Sequence, residues 1–366
     1  MSRLGSIQVL RASAALMVAF GHLQHEAKQM PAALDHAFSP IFLGLSGVGV
    51  DLFFVISGFI MVYASERLFM AQGGAMAFLT RRIARIVPLY WLMTTVFILT
   101  LLLLPGTLST GLPQVGEVIR SYLFIPYQQA GTGLMQPLYK LGWTLNYEMF
   151  FYLSFAFFLF MSPRAAVYAV AAVFSLLVII GAEFNGLPPV IRFWSNPIIL
   201  EFAFGALIGL ACLEGNRLSP VPALLLVAAG LILLQAGDWM GIEPVGGLRP
   251  LIWGLPAAMI VAGLSLGPSE SRTEEGLPSL PQRLGDASYA LYLLHPLVIR
   301  ALRIFWDKTG LSNAINPWFF VLIGLAILVP AALWMYRWIE KPLTAKAQGL
   351  LVTQHAAPAT ASAAHS

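Results

Sequence analysis

The chain has 366 residues, of which 58% are hydrophobic and 10% charged. Soluble domains carry about 25% charged residues, so a chain this poor in charge has lipid as its solvent. Its net charge of +4 comes from basic residues spread along loops between apolar stretches, which is positive-inside topology rather than a nucleic-acid surface.

Apolar stretches run over roughly 6–25, 46–64, 84–104, 145–161, 165–182, 196–213, 219–236, 250–267, 286–306 and 318–338. At about 20 residues per span they predict an all-α polytopic membrane helix bundle of about ten transmembrane helices. The first stretch is read as a retained span, because no small-x-small cleavage site follows Gly21-His22. With the N-terminus inside, the cytoplasmic segments hold Arg3, Arg67, Arg81, Arg82, Arg85, Arg164, Arg217, Arg272, Arg283, Arg337, Lys341 and Lys346. The opposite side holds Lys28, Arg120, Lys140, Arg192, Arg249, Arg303 and Lys308. That excess predicts an N-in, C-in protein with an even number of spans. The 105–142 loop, rich in Gly and Pro, then lies outside, either capping a site or serving as a plain connector. Residues 1–344 are read as one membrane domain and 345–366 as a disordered cytoplasmic tail.

The informative residues are the polar ones at bilayer depth, which cost several kcal/mol unless paired or facing a wet cavity. Arg11 and His22 lie eleven residues apart on the first span, so they share a face and are separated by about 16 Å along the axis. An arginine there suits an anion and a histidine suits proton transfer; snorkelling and interfacial placement are the plainer alternatives. Asp51, in Gly49-Val50-Asp51-Leu52-Phe53-Phe54, is expected near His22, as an orienting carboxylate or as an interfacial cap. Ser57-Gly58 forms a small pair that allows close helix contact.

Arg81, Arg82 and Arg85 open the third span. Three guanidiniums there suit phosphate groups, of a substrate or of lipid. Glu148 and Tyr152 share a face of the fourth span at i, i+4, with Glu148 expected at the depth of His22. Trp143 is either a belt residue or a stacking platform for a sugar. Glu201 is a further carboxylate in the same half. Ser288, Tyr292 and His295 form one stripe of the ninth span, and Pro296 frees the Tyr292 carbonyl at mid-membrane. Cys212 is the one cysteine, so there is no internal disulfide, and no Cys/His cluster suggests a metal.

These motifs, in order, resemble the integral-membrane acyltransferase family 3, in particular its exopolysaccharide O-acetyltransferase branch. They are Arg11-x10-His22, Gly49 to Phe59, Arg81-Arg82-x-x-Arg85-x-x-Pro88-x-Tyr90-Trp91, Trp143 to Tyr152, Glu201-Phe202-x-x-Gly205, Ser288 to Pro296 and Glu340-Lys341-Pro342. The resemblance implies an acyl-CoA donor, acetyl-CoA above all, and no metal. It implies a carbohydrate acceptor, a polysaccharide or lipid-linked oligosaccharide, beyond a bacterial inner membrane. It makes Arg11 and His22 the critical pair, gives the CoA phosphates to Arg81, Arg82 and Arg85, and gives Glu148 the acceptor or the histidine. The expected activity is O-acyl transfer, with His22, oriented by Asp51 or Glu148, deprotonating a sugar hydroxyl. Trp143, Tyr152, Glu201, Tyr292 and His295 are expected at the substrate. Partners are membrane lipids and a polysaccharide biosynthesis or export complex, with no nucleic acid. A transporter or flippase of a polysaccharide precursor is the rival class, and a non-catalytic scaffold the third.

Overall fold

The computed structural model describes residues 5–42, 44–103, 113–129, 133–240, 246–268 and 279–353. Every apolar stretch predicted as a span is helical. In chain order the helices are α1 (Gly5–Lys28), α2 (Leu45–Ala64), α3 (Gly74–Leu103), α4 (Gly142–Phe158) and α5 (Pro163–Glu183). They continue as α6 (Leu200–Leu213), α7 (Pro220–Trp239), α8 (Leu255–Leu266), α9 (Ser288–Lys308) and α10 (Pro317–Met335). No strand occurs among the described residues, beyond one isolated bridge between Gln128 and Met135.

By length and apolarity, six helices among the described residues can cross a membrane: α1, α2, α3, α5, α7 and the segment Pro317–Leu351 that begins with α10. By that measure the expected count of ten is not confirmed. Helices α4, α6 and α8 have 17, 14 and 12 residues, and α9 carries Arg300, Arg303, Asp307 and Lys308 in its second half. At 1.5 Å per residue the three short helices are about 18–26 Å long, less than the hydrocarbon thickness. Large apolar side chains such as Leu103, Phe157, Leu224, Ile232 and Trp334 stand exposed on the outer faces, as lipid contact requires.

Local chemistry sets the helix ends. Ser162 caps α5, accepting from the Ala165 N–H at 3.4 Å, with Pro163 at the first helical position. Asn316 does the same for α10, through the Trp318 N–H at 3.0 Å. The segment expected as an irregular tail from 345 is instead helical up to Thr353, in the helix Lys341–Thr353. Residues 354–366 lie outside the described residues.

The centre of the bundle is made by close helix contacts at glycine. A Cβ on Gly58 of α2 would strike the Phe202 carbonyl of α6, and one on Gly205 of α6 would strike the Val55 carbonyl of α2. A Cβ on Gly49 would come within 2.6 Å of the Ala14 carbonyl oxygen and 2.7 Å of the Val18 side chain of α1. With little hydrophobic drive between helices in lipid, such small-residue contacts let backbones pack by van der Waals attraction. They draw α1, α2 and α6 together and fix the depth of the side chains between them.

The described parts of the 105–142 segment, 113–129 and 133–142, lie against one end of the bundle. They hold a helix, Val115–Tyr122, begun by a reciprocal capping box of Gln114 and Glu117. The Trp91 indole donates to the Tyr122 carbonyl at 2.8 Å, and the Tyr139 hydroxyl donates to the Leu293 carbonyl. Those bonds tie the segment to α3 and α9, which a plain connector would not need.

Candidate active site

Arg11 is placed by α1 against the start of α9. Its guanidinium donates to the Ser288 hydroxyl at 2.9 Å and to the Gln8 side-chain Oε1 at 3.0 Å, and the Gln8 side-chain NH2 donates to Asp286 at 3.1 Å. The short helix Leu280–Asp286 can approach because Gly285 packs on the Gln8 carbonyl. Arg11 is therefore a braced side chain rather than a snorkelling one.

A cavity of about 150 Å³ opens beside it. Arg11, Arg82 and Arg85 line it together with a single carboxylate, Glu148. The Glu148 Oε1 accepts from the Ser57 hydroxyl and from the Tyr152 hydroxyl, each at 2.5 Å. Arg82 lies over the Phe78 ring, 5.5 Å from its centre, and its buried Nε has no hydrogen-bond partner. Three guanidiniums face one lining carboxylate, with a second carboxylate, Glu340, near Arg85 and Arg11. With an unsatisfied guanidinium donor in a partly apolar chamber they make a receptor for a negatively charged group. Arg81 is exposed and does not line the cavity. The expected arginine triad is thus Arg82 and Arg85 from α3 with Arg11 from α1, and Arg81 stands outside it.

At the far end of the cavity, Tyr292 exchanges a 2.9 Å hydrogen bond with Thr144. Its ring lies 5.9 Å from that of His295, which in turn lies 4.9 Å from His22. The stripe Ser288, Tyr292, His295 therefore runs from the arginine end to the histidine end, parallel to Arg11 and His22 on α1. His295 is fully buried and His22 is exposed, so the row of groups starts in a chamber and ends at a surface.

The structure places four of the expected site residues elsewhere. Asp51 does not orient His22. It is fully buried and accepts two bonds from Arg249, at 3.1 and 2.7 Å. A carboxylate at that depth takes the nearest full positive charge, and the Nδ1 of His22 is satisfied by the Val18 carbonyl at 2.8 Å. Glu148 does not lie at the level of His22. It belongs to the arginine chamber, with Arg82 and Arg11 as its charged neighbours. Glu201 does not line the cavity either. It is buried beside Asp51 and Arg249, with its carboxyl group in contact with that of Asp51. Tyr152 and Tyr292 do line the cavity. Trp143 does not. It packs edge-on against Phe54 and Tyr147, at 6.4 and 6.0 Å between ring centres.

Sequence reading missed several partners. Of the small pair Ser57-Gly58, Gly58 alone makes the close helix contact, and the Ser57 hydroxyl holds Glu148. Arg249 was counted as a loop charge. Glu340, buried with an unpartnered Oε2, has Arg85 and Arg11 as its charged neighbours, and the Tyr289 hydroxyl donates to the Ile86 carbonyl at 2.8 Å. A carboxylate and a tyrosine inside motifs were signals for the last two. Nothing in the sequence singled out Arg249.

The chain is similar to the exopolysaccharide production protein ExoZ of Rhizobium meliloti (strain 1021), 35% identical over 313 residues, which cover 84% of this chain and 93% of that protein. It is also similar to the acyltransferase MdmB of Streptomyces mycarofaciens, 25% identical over 372 residues, covering 93% of this chain and 91% of that protein. No solved structure matches it. The acyltransferase domain family matches residues 4–337, all the groups described above except Glu340 among them, and this multi-pass membrane chain belongs to that family.

Proposed function

We propose that the protein transfers an acyl group, acetyl first among the candidates, from acyl-CoA to a hydroxyl of an extracytoplasmic or lipid-linked polysaccharide sugar. The observation that carries this reading is the chamber itself. Arg11, Arg82 and Arg85 converge on one carboxylate at one end, and a row of Tyr292, His295 and His22 leads from the other end to an exposed imidazole. An anionic thioester has its receptor among the arginines, and a hydroxyl has its base at the surface. The similarity to a protein of exopolysaccharide production supports a polysaccharide acceptor.

Orientation follows from charge. The arginine end carries Arg81, Arg82 and Arg85, so it faces the cytoplasm of a bacterial inner membrane, where the donor is found. The N-terminus and C-terminus lie on that side. Ten crossings, four of them short or charged, satisfy the same orientation.

In the reaction, the guanidiniums hold the phosphates and Glu148, fixed by Ser57 and Tyr152, keeps Arg82 and Arg11 in place. The Nε2 of His22 takes the proton of the acceptor hydroxyl, the oxygen bonds to the thioester carbonyl carbon, and the carbon–sulfur bond breaks with its electron pair leaving on sulfur. The thiolate regains a proton from solvent or from the imidazole. Arg11 acts on the donor, because about 16 Å along α1 separates it from His22.

The test is acetyl-CoA binding and turnover by purified protein, wild type beside Arg82→Ala/Arg85→Ala and His22→Ala. The expected result is loss of binding in the arginine variant and binding without transfer in the histidine variant. A wild-type protein that neither binds nor turns over acetyl-CoA or longer acyl-CoA donors would leave precursor transport as the reading to pursue.

A further inference from the structure

Three arginines line the chamber, and two of them are held by their surroundings. Arg11 donates to Ser288 and to the Gln8 side chain, and Arg82 lies over the Phe78 ring. Arg85, half-buried on α3, makes no hydrogen bond or close ion pair with any described residue. Behind it stands Glu340, a carboxylate only 3% exposed whose Oε2 has no hydrogen-bond partner. Arg85 exerts the largest attraction on that carboxylate, and Arg11 the next. Glu340 does not line the cavity, so it meets Arg85 from the wall rather than from the ligand space.

The sequence sets the carboxylate there. Helix α10 runs into a π-helical turn, Tyr336–Glu340, in which the Lys341 N–H bonds to the Tyr336 carbonyl five residues back. Pro342 follows and has no N–H for the Trp338 carbonyl, so the regular ladder is broken at this point. Trp334 and Trp338 stand exposed on the lipid side, and Glu340 lies on the opposite side of the same turn. There it meets the first turn of α9, where the Ala290 N–H faces it. A helix N-terminus and two guanidiniums favour its ionised form. Asp286, the other carboxylate nearby, takes the Gln8 side-chain NH2.

The phosphates of acyl-CoA are the same before and after transfer. Whatever the arginines gain on the donor they also gain on the CoA that remains, and such uniform binding slows release of product. A receptor of this kind turns over faster when something competes for one of its guanidiniums. We propose that Glu340 is that competitor: its free oxygen draws Arg85 away from the CoA phosphates and so sets how fast spent CoA leaves. The proposal rests on the reading of the chamber as the acyl-CoA site. A bound phosphate takes the Arg85 guanidinium, and the Glu340 Oε2 takes it back as the phosphate departs. Only hydrogen bonds change hands. Glu340 touches neither donor nor acceptor and acts through Arg85, which makes it a positioning residue.

The experiment uses purified full-length protein and CoA itself, so no acceptor is needed. Calorimetry gives the CoA Kd, and a chase of labelled CoA with excess unlabelled CoA gives the dissociation rate. Wild type is compared with Glu340→Gln, Arg85→Gln, Arg82→Gln and the Glu340→Gln/Arg85→Gln pair. Glu340→Gln keeps the shape and removes the charge, and is expected to bind CoA about fivefold more tightly or better, with dissociation slowed to match. Arg85→Gln is expected to weaken CoA binding by about threefold at most, against about tenfold or more for Arg82→Gln, because Glu340 offsets what Arg85 gains. In the pair, removal of the Glu340 charge is expected to add nothing. A structural role alone predicts unchanged or weaker binding in Glu340→Gln, and that result overturns the proposal. So does a gain that persists in full without Arg85. Should Glu340→Gln not be recovered folded, Arg85→Gln decides: a loss as large as that at Arg82 overturns the proposal. If wild-type protein binds no CoA, the donor reading itself fails, and that measurement shows it before any variant is compared.

Discussion

Asp51 and Arg249, 198 residues apart, form a two-bond ion pair in which the carboxylate has no exposure to solvent. Arg249 also lies over the Trp253 ring, 5.0 Å from its centre, and Glu201 is buried beside the pair. The cluster ties the start of α2 to the start of α6 and to the π-helical turn Pro250–Gly254 before α8. It braces the end of the bundle from which His22 opens to the surface.

Removing one partner of that pair leaves a buried, uncompensated charge. Arg249→Leu is expected to destabilise the protein by about 3–5 kcal/mol. Asp51→Asn combined with Arg249→Leu is expected to be milder than Arg249→Leu alone. Thermal unfolding of the detergent-solubilised variants checks both.

The arginines of α3 are expected to separate cleanly. Arg82 lines the chamber with a free donor and Arg81 is exposed outside it. Arg82→Ala should raise the acetyl-CoA KM at least tenfold, and Arg81→Ala should stay within twofold. Arg82→Lys should not rescue, because a point charge cannot reproduce a planar fork lying over Phe78. Steady-state kinetics against acetyl-CoA decides it, and equal effects at the two positions would contradict the geometry.

Glu148 receives two hydroxyl hydrogen bonds on one oxygen. Hydrogen bonds to a charged group contribute about 1.5–3 kcal/mol each, so Ser57→Ala and Tyr152→Phe should each lower kcat/KM about tenfold or more. Glu148→Gln loses the charge that faces Arg82 and Arg11, and should lower it about 100-fold. Because all three substitutions act on one carboxylate, combining either hydroxyl deletion with Glu148→Gln should add little.

The glycine crossing of α2 and α6 admits no side chain. Gly205→Ala pushes a methyl into the Val55 carbonyl, and Gly58→Ala pushes one into that of Phe202. Each should cost about 1–3 kcal/mol or more, through overpacking against backbone that cannot yield. Gly116→Ala, with open space around it, is the control and should leave the melting temperature unchanged.

The residues that matter were legible as costly polar groups in apolar segments. Arg11, Arg82, Arg85, Glu148, Tyr152, Tyr292 and His295 were all selected that way, since the penalty for a polar group at bilayer depth is a property of its sequence context alone. Spacing within one helix was equally legible. The shared face of Arg11 and His22, and the stripe Ser288, Tyr292, His295, follow from 3.6 residues per turn. Even the freed Tyr292 carbonyl was readable from Pro296, although its use by the Nδ1 of His295 was not.

Partner choice between helices was decided by the tertiary structure alone. Depth along one helix does not fix which neighbour sits beside it, and the contacts of Gly49, Gly58 and Gly205 set the relative heights of α1, α2 and α6. That is why Asp51 meets Arg249 instead of His22, and why Glu148 joins the arginines. Charges in a low-dielectric interior pair with whatever opposite charge packing brings within a few ångströms, and packing is a property of the whole bundle. By itself the sequence determined a membrane-embedded helical protein with a polar interior and named the groups in it. The fold decided which of those groups share a chamber and which only hold it together.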